Sequence, residues 1–396
     1  MTRSAGGPTQ NAHVTQTGQV LTRSESLLAA LATAVTVVAL ATVATADPAV
    51  PAREIVAAEQ TTAPLADPAP VVPAVEPAPE PVAPPLPPPP PPPAAGPLPA
   101  PPEPPQAGCP VSRSGGGFPD APALPPPSVA EEALPAPLPP GLKATDLTAV
   151  AGRGIWVTNW PTTDVDVPGL VARAHDAGLQ SIWVRTGGSR QGYYGDKVLP
   201  ELVPAAHAAG LKVVAWDFPF MSDPMADAVR AKQALDAGVD AIAPDVETTH
   251  EGTYATPRRV DLYLSLVRSY AGTRPVAATI PRPTPKRLET FPYAAFPAYA
   301  DLFVPMVYWS CNEPGELVAQ SMQHLGALLP VHPVGQGYDM GKEGGRPGLP
   351  TFAETWRFLD AAKRGGAVGA SLWTIEQVGA EQWEALRLYP WDTAGP

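Results

Sequence analysis

The sequence predicts an α/β chain built as a (β/α)8 TIM barrel, preceded by an export or anchor segment and a disordered proline-rich linker. Three observations predict it. Of 57 prolines in 396 residues, 34 lie in residues 48–140, which leaves an ordinary proline density elsewhere. A charge-free apolar run, LLAALATAVTVVALATVATA, precedes that stretch at residues 27–46. From residue 154 onward, short apolar runs alternate with helical stretches at a spacing of roughly 30 residues, the period of a βα unit.

Residues 1–26 are polar and carry Arg3, Arg23 and the acid Glu25. An apolar run of this length behind a positive flank reads as a signal peptide or a membrane anchor. Ala44-Thr45-Ala46 before Asp47 fits a cleavage site, whereas the span length and long leading region fit an uncleaved anchor, so both readings stay open. Either way the chain is expected to be exported, to the cell envelope or beyond it. Residues 47–141 are rich in Pro, Ala, Val and Glu. Proline fixes φ and removes donors, so this stretch is expected to be a stiff, extended spacer without a core. At ~3.1 Å per residue, about 90 residues would reach on the order of 280 Å, enough to cross a thick envelope layer.

The block at 142–396 suits one large α/β domain. Its candidate strands are residues 154–160, 181–187, 212–218, 241–247, 275–281, 302–309, 331–338 and 368–375. Three helix-to-strand joints, AHDAGLQSIWV, AHAAGLKVVAW and ALDAGVDAIAP, share one pattern, with Gly178, Gly210 and Gly238 as left-handed C-caps. Asp223-Pro224 and Thr256-Pro257 mark helix starts, and Thr351 with Glu354 forms a capping box. His175 and His207 fall at helix C-terminal ends, where a structural role is expected.

Net charge of −12 argues against nucleic acid as a partner. Two cysteines argue against a disulfide scaffold or cysteine zinc cage, although Cys109 could pair with Cys311 after export. No phosphate loop, Gly-x-Ser-x-Gly elbow or HExxH is present, and His250, His324 and His332 lack ligand spacing. No metal or cofactor is expected. Membrane contact is expected only through the N-terminal segment, and the chain is expected to be a monomer.

Barrel active sites lie at the C-terminal strand ends. The polar and aromatic residues there are Asn159 and Trp160, Arg185, Asp217, Asp245 and Glu247, Tyr308 and Trp309, Gln336 and Tyr338, and Trp373 and Glu376. The Asp245-Val246-Glu247 triplet is the sharpest feature. Alternation along a strand sends both carboxylates into the barrel mouth and Val246 toward the helices. Two close carboxylates raise the proton affinity of one, leaving an acid beside a charge, as glycosidic cleavage requires. Trp160, Trp309 and Trp373 are candidate sugar platforms; Trp216, of opposite parity to Asp217, is expected to face the helices.

GIWVTNW (154–160) resembles the first strand of the glycoside hydrolase family 25 lysozymes, which reads Gly-Ile-Asp-Val-Ser followed by an aromatic residue. AGLKVVAWDFP (209–219) is similar to their third strand and PDVET (244–248) to their Asp-x-Glu fourth strand. The likeness covers roughly residues 150–250. It implies cleavage of peptidoglycan between its amino sugars, with Glu247 as general acid and Asp245 assisting. At the family's first-strand Asp this chain has Trp156, so one carboxylate is missing.

The function expected is therefore an exported glycoside hydrolase acting on a cell-envelope polysaccharide such as peptidoglycan. Glu247 would be the acid, Asp245 its helper and Asp217 a third polar member. Asn159, Trp160, Arg185, Tyr308, Trp309, Gln336, Tyr338, Trp373 and Glu376 would bind substrate. The alternative, motivated by Trp156, is a non-catalytic glycan-binding barrel displayed on the spacer.

Overall fold

A computed structural model of the chain describes residues 124–158, 165–343 and 345–391. The chain divides into two units after Pro90, and the described residues belong to the second. Residues 1–123, with the apolar run and most of the proline stretch, lie outside the described residues. Among the described residues no helix is long and apolar enough to cross a membrane.

Eight parallel strands form the barrel: β1 (Gly152–Val157), β2 (Ser181–Gly188), β3 (Lys212–Phe218), β4 (Ala241–Pro244), β5 (Ala277–Pro281), β6 (Leu302–Val307), β7 (Val334–Gln336) and β8 (Gly369–Trp373). Their order is β4-β3-β2-β1-β8-β7-β6-β5. Isolated parallel bridges Ile242–Val276 and Asp245–Thr279 link β4 to β5 and nearly close the ring. The helices are α1 (Val167–Asp176), α2 (Leu199–Ala208), α3 (Pro224–Asp236), α4 (Pro257–Ala271), α5 (Pro285–Thr290), α6 (Pro314–Leu325), α7 (Phe352–Arg364) and α8 (Ala380–Leu388). All eight expected strands are present, within a few residues at their ends.

The local signals explain the boundaries. Gly178, Gly210 and Gly238 have φ of 64°, 75° and 90°, the left-handed turn that lets each helix pass directly into a strand. Asp223 caps α3 by accepting from the Met225 and Ala226 amides, and Thr256 caps α4 through the Arg259 amide. The Thr351–Glu354 capping box opens α7. His207 binds the Asp240 carboxylate at 2.8 Å, tying the end of α2 to the turn before β4.

Strands buried on both faces divide the apolar residues into two layers. The outer layer packs the strands against the helices. The inner layer holds Trp156, Trp183, Val214, Trp216, Leu302 and Val304, with Trp373 beside it. Trp156 stacks on Trp183 with centroids 4.9 Å apart, and Trp216 meets Trp373 edge-on at 5.1 Å. Buried indole N–H groups need acceptors. Trp156 donates to Ser371 Oγ at 2.8 Å, Trp183 to Ser181 Oγ at 2.9 Å, and Trp216 to the Val157 carbonyl at 3.1 Å. Val150, on a 3-10 turn before β1, belongs to the same inner cluster, and its carbonyl meets His332 Nδ1 at 2.7 Å. A carbonyl only accepts, so Nδ1 carries the proton and Nε2 accepts from Ser371, 3.0 Å away. Burial pushes His332 down to about 4, so this inner histidine is neutral.

Composition alone put residues 124–141 in the spacer, but they are bonded to the barrel. The Val129 amide donates to the Ser222 carbonyl at 3.1 Å, and Glu131 pairs with the buried Arg259 of α4 at 2.8 Å. The Leu138 amide donates to Ser265 Oγ at 3.0 Å. A proline-rich segment cannot form a regular ladder, so the Ser222 carbonyl and side chains of α4 supply partners instead.

Candidate active site

Pro244 ends the regular pairing of β4, but the path continues. The Asp245 amide donates to the Asp217 carbonyl at 2.8 Å, and the Val246 amide to the Thr279 carbonyl at 2.9 Å. These bonds preserve the alternation: Val246 is fully buried in the outer layer, and Asp245 and Glu247 fall on the opposite side, half-buried. Glu247 thus sits three residues beyond Pro244, in the loop leading to α4.

Both carboxyls bind protons more tightly than usual. Burial pushes Asp245 up to about 7, with Arg185 opposing and the charges of Asp217 and Glu251 adding. Glu247 is raised well above its ordinary value, first by burial, then by Asp245 and Glu251, against a weaker pull from Arg287. Asp245 Oδ1 is buried with no hydrogen-bond partner. Burial and mutual charge thus raise the proton affinity of both carboxyls, with Arg185 opposing the rise at Asp245 and Arg287 at Glu247.

A cleft of about 300 Å³ opens beside Asp245, near the small end of the range for ligand pockets. Trp216 and Trp373 belong to its wall, together with Arg185, Arg190, Phe218 and Phe220. Arg185 is buried, its guanidinium carbon 4.9 Å from the Trp216 ring centroid, and its Nε donates to the Gly187 carbonyl at 3.2 Å. Tyr308 packs edge-on against Tyr338 at 5.5 Å. Burial, then Tyr338, Asp245 and Glu247, hold its phenol well above its ordinary value, so Tyr308 is a neutral O–H beside the acids.

The structure brings Asp245, Arg185 and Trp373 into one cleft, with Glu247 and Tyr308 coupled to it through charge. Other sequence candidates go elsewhere. Asp217 faces the helices: both its oxygens accept from Arg230 of α3, at 3.0 Å each, and it is fully buried. Burial raises the Asp217 carboxyl above its ordinary value, and the bidentate fork of Arg230 opposes that rise. The parity argument was right in relation and reversed in direction, because Trp216 is the residue that faces inward. Trp309 is no sugar platform, since it is fully buried in the outer layer, 5.4 Å from Phe358. Gln336 staples β6 to β7: its Oε1 accepts from the Trp309 and Ser310 amides, at 3.1 and 2.7 Å, and its Nε2 donates to the Tyr338 carbonyl. Tyr338 is buried and donates to Glu343 at 2.9 Å. Glu376 clamps the end of β1, accepting from the Thr158 amide and hydroxyl at 2.8 Å each. Asn159 and Trp160 lie outside the described residues.

The sequence reading missed Arg190, Gln191, Phe218, Phe220 and Glu251, all lining the cleft. All but Phe218 come from loops after strands, where no periodicity marks direction. Cys311 is disulfide-bonded, and Cys109 lies outside the described residues. Among the described residues no group of three or more His, Cys, Asp or Glu side chains is placed to hold a metal ion.

No family model and no curated protein matches the chain. Solved structures similar to it include the spore cortex-lytic enzyme SleL from Bacillus cereus, at 13% identity and a TM-score of 0.44, covering 60% of this chain and 73% of that one. A chitinase from Chromobacterium violaceum is similar at 9% identity and a TM-score of 0.47, covering 60% of this chain and 98% of that one. The glycoside hydrolase domain of PgaB from Bordetella bronchiseptica is similar at 11% identity and a TM-score of 0.44, covering 60% of this chain and 98% of that one. At these identities and scores the barrel assignment rests on the strand pairing itself, β1 through β8 in a nearly closed parallel ring.

Proposed function

We propose that this chain is an exported glycoside hydrolase acting on a cell-envelope polysaccharide with amino sugars, such as peptidoglycan. One observation carries the reading: Asp245 and Glu247 emerge together from one strand end, half-buried, with Glu247 holding its proton well above the ordinary carboxyl range. A carboxyl protonated at neutral pH can donate to a leaving glycosidic oxygen. The neighbouring Asp245 carboxylate can stabilise the oxocarbenium-like charge or orient an acetamido group of the substrate. Trp373 and Phe218 offer flat apolar faces for a sugar ring. The charge-free run at 27–46 and the proline spacer support export and reach across an envelope layer. Resemblance to family 25 lysozymes supports the same substrate class.

A second reading, glycan binding without turnover, is favoured by Trp156. It fills the barrel interior at the position where those lysozymes carry a carboxylate. Digestion of purified peptidoglycan and of chitin separates the two. Hydrolysis predicts new reducing ends with the wild type and none with Glu247→Gln. Equal release by both proteins would reject Glu247 as the acid, and none by either while the glycan is retained would reject the hydrolase.

A further inference from the structure

Part of the cleft wall is a loop held by a network of side chains. Ser189 stands at its base, where β2 leaves the barrel. Its amide donates to the Phe218 carbonyl at 3.0 Å, and its hydroxyl donates to Asp227 at 2.7 Å while accepting from the Phe220 amide at 2.7 Å. Asp227 also accepts from the Met221 amide at 2.7 Å and pairs with Arg230 at 2.8 Å, and Arg230 in turn grips Asp217. A buried network of two acids, one arginine and one hydroxyl therefore holds together the loop after β2 and the loop after β3. Networks of this kind fix geometry when every member is satisfied.

What the network presents is Arg190 and Phe220. Arg190 is exposed, its guanidinium carbon 5.6 Å from the Phe220 ring centroid, and both line the cleft that holds Asp245. Among the described residues Arg190 forms no ion pair, although Glu251 and Asp245 share its cleft. A guanidinium stacked on an aromatic face keeps its fork of N–H donors free at the rim and loses less freedom on binding. The chain carries a net charge of −12, so an anionic polymer would be repelled by most of the molecule and needs a local cation to be held.

We propose that Arg190, stacked on Phe220 and braced through Ser189 by the Asp217–Arg230–Asp227 network, is a subsite for an anionic substituent, carboxylate or phosphate, on the glycan bound in the cleft. This rests on the glycan reading above and narrows it: the polymer is charged near the bond presented to Asp245 and Glu247. The contact selects among glycans and takes no part in bond breaking. It also gives Asp217 a positioning role at a distance from the reacting atoms.

The test is calorimetric titration of three hexasaccharides into the protein carrying Glu247→Gln, so that nothing is cleaved. The ligands are chitohexaose, an alternating N-acetylglucosamine–N-acetylmuramic acid hexamer, and chitohexaose phosphorylated at O6. A charge-assisted fork contact predicts that one anionic ligand binds about tenfold or more tightly than chitohexaose. The carboxylate and phosphate arms identify which anion is taken. Adding Arg190→Gln should erase that preference, the anionic ligand losing about tenfold more affinity than chitohexaose. Raising salt should shrink the preference, because a rim charge is screened. Equal affinity for all three ligands, or equal weakening of all three by Arg190→Gln, overturns the anionic subsite and leaves the glycan site standing. No binding of any ligand overturns the glycan reading itself, and the subsite with it.

Discussion

Neutralising Asp245 should stabilise this protein at alkaline pH and not at acid pH. The native carboxyl is pushed from 3.8 up to about 7, chiefly by burial. The native state thus holds this proton more tightly than the unfolded chain. The associated stability is fully present below pH 3.8 and lost as pH rises through about 7. At about 1.4 kcal/mol per decade, ionising this group costs the fold about 4 kcal/mol at pH 8. Glu247 shares the same field, so the two costs overlap, and removing one charge should return about half, ~2 kcal/mol. For a domain of this size that corresponds to a rise in Tm of about 5 °C. Urea unfolding of the wild type and of Asp245→Asn at pH 8 and pH 4 measures the difference. The variant should be more stable at pH 8 and indistinguishable at pH 4. An Asp245→Asn protein less stable than wild type at pH 8, or stabilised equally at both values, would refute the account of a desolvated carboxyl.

Three further outcomes follow from the same geometry. Glu247→Gln should lower kcat on a cleavable glycan by about 10²-fold or more with little change in KM, as expected for loss of a general acid, and single-turnover rates check it. The alkaline limb of the rate profile should reflect Glu247. Because Arg287 pulls Glu247 downward, Arg287→Gln should move that limb to higher pH, and an unmoved or lowered limb counts against the assignment. Arg230→Ala leaves Asp217 and Asp227 buried without their partner, so a loss of about 3–5 kcal/mol is expected in chemical denaturation; a loss below about 1 kcal/mol would mean the pair is not desolvated.

The eight strands, the glycine C-caps at Gly178, Gly210 and Gly238, and the capping box at Thr351 were legible because each signal is local. They depend on φ preferences and on bonds within a few residues. The relation of Asp245 to Glu247 was legible for the same reason, since alternation is a property of one strand. What the sequence alone determined is therefore the barrel, its register of turns, and two carboxylates on one side of one strand end. What only the tertiary structure decided is direction and company. Asp217 and Trp216 obey alternation equally well either way round, and Arg230 on α3 is what draws Asp217 outward. Trp309 and Trp373 both end strands, yet Phe358 of α7 packs against the first while the second borders the cleft. The composition of residues 124–141 says that they cannot build a core, but only Arg259 and Ser265 of α4 reveal that they can be held by one. Arg190 became a candidate only once Ser189, Phe220 and the cleft stood in one place. Side-chain direction at a strand end is set by partners distant in sequence, and those partners exist only after the barrel has closed.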